Sequence, residues 1–233
     1  MEPIRIFYFS DALCIWAYIA QIRLDELKTT FQEKIAIEHH FVPVFGSARE
    51  KLETRWRDSE ALPWAGRGGL QGYSEHILDV ANKFDHINVN PAVWTDDTPA
   101  SSTSCHLFLH AIQLLEIKGL VDPADRVFER ATWAFREAFF TQLANISDRN
   151  VQFEIAEELR LPIAAIQAQM DSGEAYAQLS KDFDLVKEHT VTVSPTLIFN
   201  EGRQRLNGNV GYRVMESNIR ELLQNPPDEQ SWC

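Results

Sequence analysis

The N-terminal part of the chain changes abruptly from one hydrophobic pattern to another. Residues 4–9 are almost all apolar and rich in aromatic and β-branched side chains, which predicts a strand buried on both faces. Ser10 and Asp11 interrupt this run, and both residue types are common at helix starts. Apolar side chains then recur at helical spacing over residues 13–31. The pattern therefore predicts a strand that leads directly into a long helix.

The rest of the chain places a long helical region between two strand-forming parts. Residues 35–42 alternate between apolar and polar side chains, which predicts a half-exposed strand parallel to the first. A series of segments with helical periodicity occupies residues 47–184. Strand patterns return in residues 190–200 and 204–207, and residues 212–223 form an amphipathic closing helix. The sequence thus predicts an α/β fold with a large all-helical insertion.

Cys14 is the residue at the first strand–helix junction that is best suited to a chemical role. It falls in the first predicted turn of the helix, where unpaired backbone N–H groups and the helix dipole stabilise an anion. A thiolate in such a position commonly has a lowered pKa, and the thiolate is the form of cysteine that attacks disulfides. We therefore predict a reactive thiol, with a small buried hydrophobic residue as the alternative.

Two segments far apart in the sequence resemble the active site of a known family. Residues 9–18 read Phe-Ser-Asp-x-x-Cys-x-Trp-x-Tyr, which is similar to the active-site segment of the DsbA-like thioredoxin-fold oxidoreductases, especially the FrnE-like branch. Residues 191–199 resemble that family's strand with a cis proline beside the active cysteine, which gives this role to Pro195. The family usually has a second, resolving cysteine where this chain has Ala17.

The resemblance implies a thioredoxin-like sheet that is interrupted by the helical insertion. Residues 1–46 and 185–225 would form a discontinuous thioredoxin-like domain, and residues 47–184 the inserted helical domain. Residues 226–233 contain two prolines and polar side chains, and we expect them to form a flexible tail.

The resemblance also implies thiol–disulfide chemistry with one active-site cysteine. Cys14 is the expected nucleophile, and because Ala17 cannot resolve a mixed disulfide, a second thiol has to do so. Glutathione is the expected co-substrate, with no tightly bound cofactor, and the partner is glutathione or a small or protein disulfide. The turn at 209–213 combines helix N–H groups with a guanidinium and is a candidate carboxylate site. The residues expected to bind substrate are Asp11, Trp16, Ser194, Pro195, Asn209 and Arg213.

The other two cysteines and one histidine have less defined roles. Cys233 lies at the end of the predicted tail, which is long enough for it to return as a resolving thiol. Cys105 lies on an apolar helical face and is expected to pack in the core. The family has a histidine in a similar context to His106, so this side chain lies either near the site or simply within the helix packing.

Two further functions stay open at this point. Kappa-type glutathione transferases and 2-hydroxychromene-2-carboxylate isomerases share the inserted-helix architecture, but have serine at the position of Cys14 and stabilise the thiolate of glutathione. Alternatively, the missing second cysteine is consistent with a thioredoxin-like binding protein that has no turnover.

Composition limits the partners and the compartment. The 34 acidic and 22 basic residues give a net charge of −12, which argues against nucleic acid or an anionic membrane as the main partner. No signal peptide or transmembrane segment is visible in the sequence. Three widely spaced cysteines fit reduced thiols better than a disulfide framework, which favours a cytoplasmic location. The sequence leaves a homodimer possible.

Several other motifs carry weaker predictions. His39 and His40 are neighbours in a predicted strand and would point to opposite faces, so no metal site is predicted there. The glycine-rich residues 66–69 lack the lysine and hydroxyl residues of a phosphate loop, and we predict an ordinary connecting loop. By analogy with the family, aromatic residues of this region would shape the substrate site: Trp64, Tyr73 and Trp94.

Overall fold

The fold is built on a mixed sheet of four short strands. A computed structural model describes residues 2–53, 67–199, 202 and 204–224 of the chain. The strands in this part of the chain are β1 Ile4–Ser10, β2 Ile35–Phe41, β3 Thr196–Phe199 and β4 Gln204–Asn207. Their order across the sheet is β2-β1-β3-β4, so β1 is an interior strand. This position agrees with its nearly continuous apolar sequence.

The strand pairing brings distant parts of the chain to the carboxyl end of β1. β1 runs parallel to β2, with Ser10 opposite Phe41, and antiparallel to β3, with Phe9 opposite Thr196. β4 pairs antiparallel with β3 on the outer side. The start of β3 and the end of β2 therefore flank the point at which β1 ends.

The helices lie mainly between β2 and β3 in the sequence. One helix follows β1, seven occupy the region between β2 and β3 that the structure describes, and one closes the fold. Their bounds are α1 Ile15–Phe31, α2 Ala48–Glu53, α3 Gly69–Ala81, α4 Ser102–Ile117, α5 Val127–Gln142, α6 Arg149–Glu158, α7 Ile163–Asp171, α8 Glu174–Glu188 and α9 Tyr212–Gln224.

Three predicted boundaries differ from the structure. α1 begins at Ile15 instead of residue 13, because the Asp11 side chain accepts the Leu13 N–H and turns the chain before the helix starts. α3 begins at Gly69, within the segment 66–69 that was predicted to be a connecting loop, since Gly68 adopts a left-handed backbone conformation at φ 95° and leads into the helix. β3 begins only at Thr196, because Pro195 before it has no N–H for the ladder.

The two larger of three apolar clusters among the described residues stabilise the architecture. One lies between the sheet, α1 and α9 and includes Ile6, Leu24 and Met215. The larger cluster fills the helical region around α4 and contains the aromatic side chains of α5, among them Phe135 and Phe139. Both side chains are buried and form part of the core.

The predicted fold class is confirmed: the protein has an α/β fold in which a thioredoxin-like sheet carries a large helical insertion. The domain boundaries stay a prediction, and the one at 184/185 falls within α8. Trp64, Gly66, Cys233 and the tail 226–233 lie outside the described residues. Among the described helices, none combines the length and the apolar character needed to cross a membrane.

Candidate active site

Cys14 lies at the junction of β1 and α1, where the strand pairing brings distant segments of the chain together. It is the N-cap residue of α1 in an extended backbone conformation, and only 6% of its surface is exposed. Its Sγ–H donates a hydrogen bond to the Ser194 carbonyl oxygen at 3.2 Å. The following peptide bond, Ser194–Pro195, is cis, as the resemblance implied. The structure therefore brings Cys14, Ser194 and Pro195 together.

The environment of Cys14 raises its pKa above the ordinary value of 9.0. Burial is the largest cause, and the negative charge of Asp11 adds to it. Hydrogen bonds from Ser194 and from the backbone of Ala17 and Trp16 act in the opposite direction but do not offset burial. The predicted lowering of the Cys14 pKa is therefore wrong, because the first-turn N–H groups act on a thiol that is almost completely removed from water.

Asp11 connects three segments around the active-site turn. It is fully buried, and its carboxylate accepts hydrogen bonds from the Leu13 N–H at 2.8 Å, the Phe45 N–H at 2.9 Å and the Ser102 hydroxyl at 2.7 Å. Its own N–H donates to Ser194 Oγ at 2.9 Å. These contacts give Asp11 a structural role in holding the turn. The substrate-binding role that the resemblance implied for it stays a prediction.

His106 supports the same turn from α4. Its Nε2 accepts the Ala12 N–H at 3.1 Å, so the ring proton resides on Nδ1. The ring is fully buried and stacks on Phe41 with centroids 4.4 Å apart and planes within 9°. Burial lowers the pKa of His106 to about 4, so this histidine is neutral at neutral pH. Of the two alternatives drawn from the sequence, the position near the site is the one observed.

We expect the stability of the fold to fall between pH 7 and about pH 4.5 because of His106. The unfolded chain takes up this proton at the ordinary pKa of 6.5, whereas the folded protein takes it up only near pH 4. The stabilisation is therefore complete above pH 6.5, and about 2 kcal/mol of it is lost by pH 4.5.

Denaturant unfolding of wild type and His106→Gln at several pH values measures this loss. Glutamine keeps an acceptor for Ala12 but does not titrate, so the difference between the two proteins isolates the histidine. Identical pH profiles for both proteins would show that another group is responsible.

A buried carboxylate on α8 fixes the end of β2. Asp182 accepts hydrogen bonds from His40 at 2.9 Å, from His110 at 2.7 Å and from the Phe41 N–H at 2.6 Å. The two histidines lower the pKa of Asp182 against the opposing effect of burial. Because Phe41 stacks on His106, this cluster supports the active-site turn indirectly. Nothing in the sequence pattern indicated that these residues meet.

The neighbouring histidines of β2 point to opposite faces, as predicted. His39 packs against Tyr8 and Phe128, while His40 packs against Phe7 and Phe9 on the other side of the sheet. In the part of the chain that the structure describes, no group of three His, Cys, Asp or Glu side chains is suited to hold a metal ion.

A buried arginine lies beneath the end of β1. The guanidinium of Arg136 on α5 donates to Ser10 Oγ and to Gln21 Oε1, both at 3.1 Å, and the side chain is fully buried. Burial raises the pKa of nearby Tyr8 to about 12, and the charge of Arg136 acts against this rise. Arg136 thus anchors the strand that carries the active-site turn.

Among the described residues, no hydrogen bond links the predicted carboxylate site after β4 to Cys14. The Gly208 N–H donates to the Pro195 carbonyl at 2.7 Å, so this loop does reach the cis proline. The Asn209 side-chain oxygen, however, accepts a hydrogen bond from Arg23 of α1. Arg213 lies in a shallow pocket on the outer side of α9. The roles predicted for Asn209 and Arg213 stay predictions.

The aromatic residues predicted to bind substrate or to shape the site occupy different depths. Trp16 is half-buried and meets the ring of Phe84 edge-on. Tyr73 lies close enough to Cys14 and Asp11 for their charges to add to the rise that burial causes in its pKa. Trp94 is fully buried behind Phe45, so it supports the site as a core residue.

Lys51 is a residue of this region that the sequence analysis did not single out. Its ammonium donates to the Val44 carbonyl at 2.9 Å and lies 4.5 Å from the centre of the Phe45 ring. Burial lowers the pKa of Lys51, while the negative charges of Asp11 and of a Cys14 thiolate raise it. The structure thus places a cation beside the active-site turn.

Cys105 lies deeper, fully buried in the helical core as predicted, and burial raises its pKa strongly.

Comparisons with known proteins agree with this architecture. The DSBA-like thioredoxin domain family matches residues 5–220 of the chain. The ClpXP adapter protein SpxH of Bacillus subtilis (strain 168) is 33% identical over 233 residues, which cover 97% of this chain and 70% of that protein.

Two solved structures share the fold at low sequence identity. A protein from Nitrosomonas europaea described as a candidate protein disulfide isomerase has a TM-score of 0.73 and 14% identity, with 96% of this chain and 98% of that chain covered. The cytosolic disulfide reductase DsbM of Pseudomonas aeruginosa has a TM-score of 0.63 and 19% identity, covering 93% and 98%. A second structure of DsbM contains GSH and has a TM-score of 0.61, 16% identity and coverage of 93% and 99%.

Proposed function

Because the chain belongs to the DSBA-like thioredoxin domain family, a family of thioredoxin-fold oxidoreductases, we propose that it is a glutathione-linked thiol–disulfide oxidoreductase. The observation that carries this proposal is the position of Cys14 at the start of α1, hydrogen-bonded to the carbonyl before the cis Pro195. The GSH-containing DsbM structure, which shares the fold, supports glutathione as the co-substrate. The proposed reaction needs a compartment that supplies glutathione. The proposal therefore places the protein in the cytoplasm.

The reaction uses one protein thiol and two exchange steps. Cys14 first loses its proton to solvent, and its thiolate attacks one sulfur of the substrate disulfide. A new bond from Sγ to that sulfur forms, the substrate S–S bond breaks, and the other sulfur leaves as a thiolate that takes up a proton. Since Ala17 has no thiol, the thiolate of glutathione then attacks the mixed disulfide. This second step releases Cys14 and leaves the glutathione sulfur in the product disulfide.

Turnover of a glutathione-containing disulfide tests the proposal. The substrate is a mixed disulfide between glutathione and a small thiol. Its reduction is followed with wild type, Cys14→Ser and Cys105→Ser. We expect Cys14→Ser to lower the rate more than about 100-fold, as loss of a nucleophile does in other enzymes. Cys105→Ser serves as the matched control, because Cys105 lies in the core and takes no part in the proposed reaction. Intact-mass measurement should also show glutathione attached to Cys14 in the wild type.

Two outcomes would contradict the oxidoreductase proposal. A folded wild-type protein that does not turn over the glutathione-containing disulfide would show that the chain lacks the proposed activity. Unchanged glutathione-dependent activity in Cys14→Ser would show that the sulfur is dispensable, as expected for the kappa-type transferases and isomerases, in which a hydroxyl stabilises the thiolate of glutathione.

A second candidate function is a partner-binding adapter without turnover. It is favoured by the burial of Cys14, which raises the pKa of this thiol, and by the 33% identity to the ClpXP adapter protein SpxH. A thiol that stays protonated at neutral pH attacks disulfides slowly. The adapter interpretation predicts that Cys14→Ser binds its protein partner as well as the wild type does, while the oxidoreductase proposal predicts loss of turnover in the same variant.

A further inference from the structure

Lys51 has hydrogen-bonding capacity that the described structure does not use. An ammonium group has three donors, and one of them is satisfied by the Val44 carbonyl. The ring of Phe45 lies 4.5 Å away and provides a favourable but undemanding contact. Among the described residues, no carboxylate lies within ion-pair distance of Lys51. The side chain is nevertheless half-buried, where an unused charge is costly.

A short chain of contacts connects this charge to the turn that carries Cys14. Lys51 binds the carbonyl of Val44, and the next residue, Phe45, donates its N–H to the Asp11 carboxylate. The Asp11 carbonyl in turn accepts the N–H of Cys14 at 3.1 Å. The electrostatic interaction of Lys51 with both Asp11 and Cys14 agrees with this proximity.

The acidic group nearest to Lys51 in this chain of contacts is already occupied. Both oxygens of Asp11 accept hydrogen bonds from Leu13, Phe45 and Ser102 inside the fold. The protein as a whole has a net charge of −12 and therefore repels anionic substrates at a distance. A local cation attracts an anionic substrate to this site in spite of that repulsion.

We propose that Lys51 binds a carboxylate of the substrate and makes the site selective for anionic disulfides such as those of glutathione. This inference rests on the proposed function and names the substrate class of the same site. This contact is separate from the candidate carboxylate site at residues 209–213, which stays a prediction. The charge of Lys51 and the donors that no described residue accepts fit a carboxylate, whereas a neutral disulfide gains nothing from them.

Binding and turnover together test the role of Lys51. S-methylglutathione has the carboxylates of glutathione but no reactive thiol, so its affinity reports the carboxylate contact without chemistry. We expect Lys51→Gln to weaken its binding about 10-fold, the usual loss for one charge-assisted hydrogen bond. Lys51→Arg should retain most of the affinity. Lys51→Gln should also raise the KM for glutathione disulfide by a similar factor and leave the KM for bis(2-hydroxyethyl) disulfide unchanged.

Lys83→Gln is the matched control, since Lys83 is exposed beyond the end of α3. Unchanged S-methylglutathione binding in Lys51→Gln, or an equal rise in KM for the charged and the neutral disulfide, would overturn the inference and leave the oxidoreductase function intact. Wild-type protein that binds S-methylglutathione through Lys51 but turns over no disulfide would support the carboxylate site and overturn the proposed activity. A wild type that does not bind S-methylglutathione would overturn the carboxylate site.

Discussion

Asp11→Ala is expected to lower the free energy of unfolding by about 3–5 kcal/mol, because it leaves three buried donors without an acceptor. The Leu13 N–H, the Phe45 N–H and the Ser102 hydroxyl all donate to this carboxylate, and none of them reaches water from its present position. They come from the active-site turn, the segment after β2 and the start of α4. Loss of the carboxylate therefore loosens the connection between the sheet and the helical insertion.

Denaturant unfolding of wild type, Asp11→Ala, Asp11→Asn and Asp184→Asn measures this effect. Asp184→Asn is the control, because Asp184 is exposed on α8. Asparagine retains one acceptor oxygen, so Asp11→Asn should cost less than alanine. It should also lower the Cys14 pKa, since the negative charge of Asp11 raises it. A loss below about 1 kcal/mol in Asp11→Ala would show that the three donors find other acceptors.

The sequence was sufficient for the parts of the fold that depend on local pattern. The apolar run of β1 and the helical spacing of α1 predicted the strand–helix junction, and the structure differs by two residues at the helix start. The cis peptide bond at Pro195 was expected from the resemblance and is confirmed, while its role in substrate binding stays a prediction. Local pattern was enough here because strand burial and helix periodicity are properties of consecutive residues.

The contacts that define the site could not be predicted in the same way. Asp11 meets the backbone of Phe45 and the side chain of Ser102, which are separated from it by 34 and 91 positions in the sequence. A backbone donor has no sequence signature, and a serine at a helix start is expected for capping alone. Periodicity also gives no measure of how far Asp182 on α8 lies from the end of β2.

The Cys14 pKa shows where a local electrostatic argument is incomplete. The start of α1 does provide donors that favour the thiolate, and the sequence was sufficient to predict them. Burial by the segments packed over the turn is a tertiary property and has the larger effect. A cation beside the turn, Lys51, reduces the cost of a negative charge there, and only the three-dimensional arrangement reveals its position.

Ala17→Cys is expected to convert the site into a dithiol that no longer needs glutathione for resolution. Ala17 is the third residue of α1, and its N–H donates to the Cys14 carbonyl at 3.1 Å, so the two side chains lie on the same face of the first turn. A thiol held at this distance attacks a mixed disulfide within the molecule, which favours it strongly over a free thiol. We therefore expect turnover of bis(2-hydroxyethyl) disulfide with dithiothreitol and without glutathione to rise about 10-fold or more.

Stopped-flow kinetics and intact-mass analysis of Ala17→Cys, with Ala17→Ser as control, distinguish the thiol from the added volume. Ala17 is fully buried, so both variants should lose about 1–3 kcal/mol of stability through overpacking. Only the cysteine variant should form an internal disulfide with Cys14 and gain activity. If the internal disulfide forms without a gain in turnover, the burial that raises the Cys14 pKa limits the first attack, and the adapter interpretation is favoured. Absence of an internal disulfide would show that the Cys14 sulfur does not face Ala17. The lack of a thiol at position 17 would then not explain why the site depends on glutathione.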